Sequence, residues 1–144
     1  VIIEQWIDGK DFFVSIVGET VLPSVEVHVP GQFYDYEAKY KSEVTQYLCP
    51  APILPQQEEA LRALAYQAFT ALGCEGWGRV DLVQDIQGKF WVLEVNTVPG
   101  MTSHSLVPIS AKAVGMNFDE LVLKILTTTC QDDLEKPVIA VAQG

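Results

Sequence analysis

The chain has 144 residues, 49% hydrophobic and 19% charged, enough for one domain with its own core and too apolar for a disordered chain. A net charge of −10 argues against a nucleic-acid partner, because displacing phosphate counterions needs a basic face; it leaves room for a nucleotide whose phosphates a divalent cation bridges to carboxylates. No apolar run reaches the ~20 residues of a membrane span, no secretory signal opens the chain, and Cys49, Cys74 and Cys130 are too scattered for zinc or a disulfide framework, which fits a cytosolic protein.

Residues 1–29 read as an antiparallel meander. The runs are VIIEQWI, FFVSIVG and VLPSVEVHV, with turns at Asp8-Gly9 and near Glu19. The opening is strand-like and lacks a methionine, so the chain is expected to be part of a longer protein whose N-terminal portion is missing. Residues 31–54 are aromatic and charged with little periodicity. They are expected to form a long functional loop with one short element.

The segment 55–72 has the pattern of a helix. Pro55 suits its first turn, Glu58 and Glu59 sit at the positive end of the dipole, and Gly73 closes it. Leu61, Leu64, Ala65, Ala68 and Leu72 form its expected buried stripe. GRVDLVQ and KFWVLEVN then make a hairpin around residues 85–88, in which Trp91, Val92, Leu93 and Val95 look like core. A short helix is expected at 106–113. A second follows from Asn117 with Glu120 as its capping box, and Leu121, Val122, Ile125 and Leu126 form its apolar face. Residues 127–144 show no pattern.

The hairpin carries the chemistry. Alternation puts Arg79, Asp81 and Val83 on one face, and Phe90, Val92, Glu94 and Asn96 on one face of the next strand. A two-residue Gln87-Gly88 turn sets Asp81 opposite Glu94 and Arg79 opposite Asn96. A four-residue loop keeps these faces together, and an odd loop without a bulge separates them. Facing carboxylates repel. Either one holds a proton, or Arg79 neutralises the pair, or a cation lies between them. Asp81, Glu94 and Asn96 offer hard oxygen donors only, which suits Mg²⁺ completed by waters and phosphate oxygens. Arg79 would then face an anionic group developing beside the metal. The plain alternative is an ion-paired hairpin end.

FYDYEAKY (33–40), YLCPAP (47–52), GRVD (78–81) and LEVNTVPGMTSHSLVP (93–108) together resemble the D-alanine–D-alanine ligases of the ATP-grasp superfamily. The resemblance runs from Val1 to about Leu126 and covers only the C-terminal part of such an enzyme. It implies an α+β fold, an antiparallel sheet with packed helices, as the catalytic segment 1–126. Residues 32–48 would be a mobile loop over the phosphates, and 127–144 a tail of unknown role. It also implies ATP-dependent joining of two D-alanines through an acyl phosphate, for cytoplasmic peptidoglycan precursor synthesis, by an enzyme that is a homodimer when intact.

The same resemblance assigns residues. Asp81, Glu94 and Asn96 would hold two Mg²⁺ ions, or Mn²⁺ in their place, with Glu94 bridging both. Arg79 and the Gly100 N–H would stabilise the tetrahedral oxyanion. Ser105 and the Leu106 N–H would hold the carboxylate of the second D-alanine at a helix N-terminus, itself a ready anion site. Glu4 and Ile7 align with the adenine-binding stretch, and Trp6 and Phe33 would flank the base, although Trp6 by itself reads as core. Asp11 stands where the family has a ribose-binding glutamate and is about one methylene shorter. Lys39 would contact the transferred phosphate and Tyr40 would seal the loop. Without the missing part, this polypeptide is expected to be inactive and to bind nucleotide weakly. The rivals are another ATP-grasp carboxylate–amine ligase and a non-catalytic nucleotide-binding module.

Overall fold

The computed structural model describes residues 1–28 and 45–134, the last four by backbone alone. In chain order these form β1 (Gly9–Val17), β2 (Thr20–Val21), β3 (Val25–His28), β4 (Gln46–Leu48), α1 (Pro55–Ala71), β5 (Trp77–Asp85), β6 (Phe90–Asn96), α2 (Leu106–Ala113) and α3 (Phe118–Leu134). The strands make one antiparallel sheet in the order β4-β3-β1-β5-β6, and β2 pairs with β1. The fold is α+β, as expected. No described helix is long and apolar enough to cross a membrane.

Two apolar clusters cover the sheet. On one face Phe12, Val14 and Ile16 of β1 and Val80 and Leu82 of β5 pack against Leu61, Ala65 and Phe69 of α1. On the other, at the Val17 end, Val17 and Leu22 pack against Val107 and Ala111 of α2 and Leu121 of α3. Elsewhere on that second face the polar groups of β1, β5 and β6 stand beside Phe13, Val25 and Val83, and the candidate site lies there.

Several expectations change on contact with the structure. Residues 1–8 form no strand, and Val1, Ile2, Ile3 and Trp6 are exposed. No described strand lies beside them to accept their backbone groups. Gly9 is not a turn residue but the first of β1. A Cβ there would come within 2.0 Å of the Gln84 carbonyl oxygen, so the close approach of β5 selects glycine. Residues 46–48 supply the short element of the long segment by pairing as β4 with β3.

The helices keep their expected starts. Pro55 opens α1, Gly73 leaves it at φ 68, and Leu72, past the last turn, is exposed, while Phe69 takes the buried position. The Asn117–Glu120 capping box forms in both directions, at 2.8 and 2.9 Å. Helix α3 continues through residues 127–134 of the expected tail, where Thr127, Thr128 and Thr129 turn their hydroxyls back to carbonyls three or four residues earlier. Leu126 is exposed rather than on its apolar face.

Candidate functional site

The β5–β6 hairpin closes with a three-residue loop, not the even-numbered one its turn residues suggest. The Asp85 N–H donates to the Lys89 carbonyl and the Gly88 N–H to the Asp85 carbonyl, each at 2.9 Å, and Gly88 takes φ 85. The Asp85 carboxylate fills the loop, accepting from the Gln87 and Lys89 N–H groups at 2.9 Å and from Trp91 Nε1 at 2.8 Å. An odd loop alone would throw the acids onto opposite faces. A β-bulge corrects it. Gln84 pairs with Phe90 and Leu82 with Val92, but Asp81 pairs with Glu94 and Arg79 with Asn96, so Leu93 is the extra residue.

The bulge redistributes the side chains of β6. Phe90 and Val92 share the α1 face with Leu82, where Phe90 meets Phe12 edge-on at 5.5 Å. Glu94 and Asn96 point to the other face, with Asp81 and Arg79. The expectation that Phe90, Val92, Glu94 and Asn96 share one face therefore fails at Leu93. Trp91, Val92 and Leu93 are also not core. They are 39%, 38% and 55% exposed, because β6 is an edge strand.

On that second face Arg79 grips Asp81 with both ends of its fork. Its Nε lies 2.6 Å from one carboxylate oxygen and a terminal nitrogen 2.8 Å from the other. The guanidinium also lies over the Phe13 ring, 5.3 Å from its centre. The hydrogen bond to Asp81 holds the Arg79 pKa above its ordinary value. Burial opposes this, and the charges of Asp81 and Glu94 add to it. Asp11 shares the face, and burial followed by the Asp81 charge pushes its carboxyl up. Three carboxylates thus share this face with one guanidinium. Glu94 makes no ion pair with any described residue.

Asn96 Oδ1 accepts from the Val98 N–H at 3.1 Å, turning the chain toward Pro99 and Gly100. Gly100 lies against Ser105, since a Cβ there would be 3.0 Å from the Ser105 hydroxyl oxygen. Ser105 occupies the N-cap position of α2 but makes no capping bond with its side chain. Its hydroxyl turns back instead. It accepts from the Thr102 N–H at 3.0 Å and lies 2.8 Å from the Thr102 hydroxyl. The first turn of α2 is left with the N–H groups of Leu106 and Val107, because Pro108 has none and the Ile109 N–H already donates to the Ser105 carbonyl. That is a seat for a small anion.

The structure therefore brings Asp11, Arg79, Asp81, Glu94 and Asn96 onto one face, and places Gly100 against Ser105, which leads into Leu106 at the start of α2. It does not bring in Glu4 or Trp6, which are exposed, or Ile7, which is half-buried, because residues 1–8 lie outside the sheet. Trp6 is 83% exposed, so its core reading fails among the described residues. Phe33, Lys39 and Tyr40 lie outside the described residues. Two contributors escaped the sequence reading. Phe13 is the platform for Arg79, and only the β1–β5 register reveals it. Thr102 fixes the Ser105 hydroxyl, and its three-residue spacing from Ser105 was the available signal.

The donor set fits a hard cation in chemistry and in facing. No group of three His, Cys, Asp or Glu is gathered among the described residues, and the set consists of two carboxylates and an amide. One of those carboxylates, Asp81, is held by Arg79.

Comparison with known proteins gives the family. The family described as D-ala D-ala ligase C-terminus matches residues 1–127. The solved D-alanine–D-alanine ligase from Bacillus anthracis is 32% identical, with a TM-score of 0.77, and the match covers 92% of this chain and 43% of that one. A structure of a D-alanine–D-alanine ligase from Bacillus anthracis complexed with ATP gives the same figures. The VanG D-Ala:D-Ser ligase from Enterococcus faecalis is 31% identical with a TM-score of 0.72, over 86% of this chain and 37% of that one. The chain spans less than half the length of these solved ligases. A match over nearly the whole chain, joined to a fold shared at this identity, settles descent: the chain belongs to the D-ala D-ala ligase C-terminus family.

Proposed function

We propose that this chain supplies the phosphate-, metal- and acceptor-binding part of an ATP-dependent ligase that joins two D-alanines. In this reaction the γ-phosphoryl group of ATP passes to the carboxylate of the first D-alanine, giving an acyl phosphate and ADP. The neutral amine of the second attacks the acyl carbon, phosphate leaves, and the amine loses a proton. The setting would be peptidoglycan precursor synthesis in the cytoplasm, by an enzyme that is a homodimer with its N-terminal part in place.

One observation carries the reading. The bulge at Leu93 turns Glu94 and Asn96 onto the face of Arg79 and Asp81. Asp81, Glu94 and Asn96 would hold Mg²⁺, which when bound offsets the charge of the ATP phosphates. Arg79, fixed by Asp81 and Phe13, would stabilise the oxyanion that develops at the acyl carbon, together with the Gly100 N–H. Ser105 accepts from the Thr102 N–H, and with the Thr102 hydroxyl as donor in their contact its own proton would be offered to the carboxylate of the second D-alanine. The Leu106 N–H would meet the same carboxylate. Asp11 would reach the ribose hydroxyls, with Glu4, Ile7, Trp6 and Phe33 around the adenine, Lys39 on the transferred phosphate and Tyr40 sealing the loop.

A D-Ala:D-Ser ligase is about as similar to this chain as the D-alanine–D-alanine ligase, so the acceptor needs a direct test. Phosphate release by the intact ligase should depend on D-alanine alone and yield D-alanyl-D-alanine. Release that requires D-serine beside D-alanine would replace the acceptor. ATP binding with no amino-acid-dependent release would make the protein a nucleotide-binding module.

A further inference from the structure

The N-terminus of α2 carries Ser105 and Leu106, so the placement of this helix decides where an acceptor carboxylate can sit. Its apolar contacts are small. Val107 and Ala111 rest on Val17, Leu22 and Leu121, and apolar contacts, being non-directional, set the height and roll of a short helix less sharply than a hydrogen bond does. A directional contact lies between them in sequence. Ser110 is fully buried, and its hydroxyl donates to the Pro23 carbonyl at 2.5 Å.

Pro23 is itself held in place. The neighbouring Ser24 gives its N–H to one oxygen of Glu58 on α1 at 2.9 Å and its hydroxyl to the other at 2.5 Å. Arg62, one turn along α1, donates to the Val21 carbonyl. The Ala51 N–H donates to the Ser24 carbonyl at 3.0 Å. The β2–β3 turn is thus fastened to α1, and Ser110 passes that fastening on to α2. The Cys49 thiol lies at the same junction. Burial pushes its pKa up, the Ser110 hydroxyl opposes the shift and the Glu58 charge adds to it.

We propose that Ser110 is a positioning residue for the acceptor site, fixing the height and roll of α2 through the Pro23 carbonyl and so the location of the Ser105 hydroxyl and the Leu106 N–H. The inference rests on the ligase reading above. Ser110 touches no substrate. It acts through the helix it anchors, and a displacement of about an ångström at a binding group can change a rate a hundredfold.

The test is steady-state kinetics of the intact ligase, with each substrate varied in turn. Ser110→Ala should raise the KM for the second D-alanine about five- to tenfold and leave the KM for ATP within about twofold. Ser110→Thr, which keeps the hydroxyl, should recover most of the loss. Should S110A melt below the assay temperature, Glu58→Gln loosens the far end of the same clamp and should give a smaller shift of the same kind. An unchanged acceptor KM, an equal rise in both KM values, or failure of S110T to recover it in a folded protein would overturn the proposal. A wild-type protein without D-alanine-dependent phosphate release would instead overturn the ligase reading, so the two failures are distinct.

Discussion

Arg79 holds both oxygens of Asp81, at 2.6 and 2.8 Å, and so leaves the facing Glu94 as the carboxylate without a described ion pair. Of the three ways to relieve two opposed acids, neutralisation by arginine is realised for one of them. The pair is mostly buried, with side chains 16% and 10% exposed, so removing the arginine strands a carboxylate. Arg79→Leu should lower the stability of the intact ligase by about 2–4 kcal/mol and kcat by a factor of about a hundred to a thousand. Added Mg²⁺ should recover more stability in this variant than in the wild type. Thermal melts with and without Mg²⁺ check this, and an unchanged melting temperature would contradict it.

Asp11 makes a pH prediction. Its carboxyl is raised above 3.8 by burial and by the Asp81 charge, so the native state holds this proton more tightly than the unfolded chain. The contribution is full below 3.8 and is lost as pH rises through the folded-state value. At neutral pH the ionised form opposes folding. Asp11→Asn should therefore be the more stable protein at neutral pH, with a flatter stability profile just above 3.8, while ATP binds it more weakly. Melts across the acid range and nucleotide titration measure the two effects. A less stable variant at neutral pH would count against repulsion by Asp81.

Gly100→Ala places a methyl group 3.0 Å from the Ser105 hydroxyl oxygen. Gly100 is exposed and its φ is not positive, so the fold tolerates alanine. The expected result is a roughly tenfold rise in the KM for the second D-alanine with an unchanged melting temperature. A large loss of stability instead would show a backbone role for the glycine.

Asp85 is the plug of the hairpin loop. The hydrogen bond from Trp91 lowers its pKa first, helped by the Lys89 and Gln87 N–H groups and the Lys89 charge. A lowered carboxylate stabilises above 3.8 and loses that contribution as pH falls through the folded-state value. Asp85→Ala should speed amide exchange at Gln87 and Lys89 and leave α1 unaffected. Exchange measured by mass spectrometry decides it, and equal acceleration in α1 would mean the loop is not a separate unit.

How far the sequence was legible depends on which physical signal each element carries. Helices α1 and α3 announce their starts through Pro55 and Asn117, both local chemistry. Alternation on β5 placed Arg79 with Asp81, and the pairing of Asp81 with Glu94 emerged from the hairpin. Loop length and bulge, however, are two unknowns constrained by one pattern, and simple alternation assigns Phe90 and Val92 to the face opposite the one they occupy. The exposure of Trp91 and Leu93 was hidden as well, since hydrophobicity does not tell an edge strand from a central one. Residues 1–8 have strand-forming composition but no described partner, and pairing is a property of two segments. The cross-strand support of Arg79 by Phe13 needs a register that no single stretch contains.

The three-residue loop and the extra residue at Leu93 cancel each other's parity. With the sequence unchanged, pairing that lacked either one alone would shift that half of the strand by one side-chain position and aim Glu94 and Asn96 at α1. Losing both would restore the alignment. The facing of the donors thus rests on two irregularities adopted together, and a tip that tightened while the kink persisted would turn them away from Arg79.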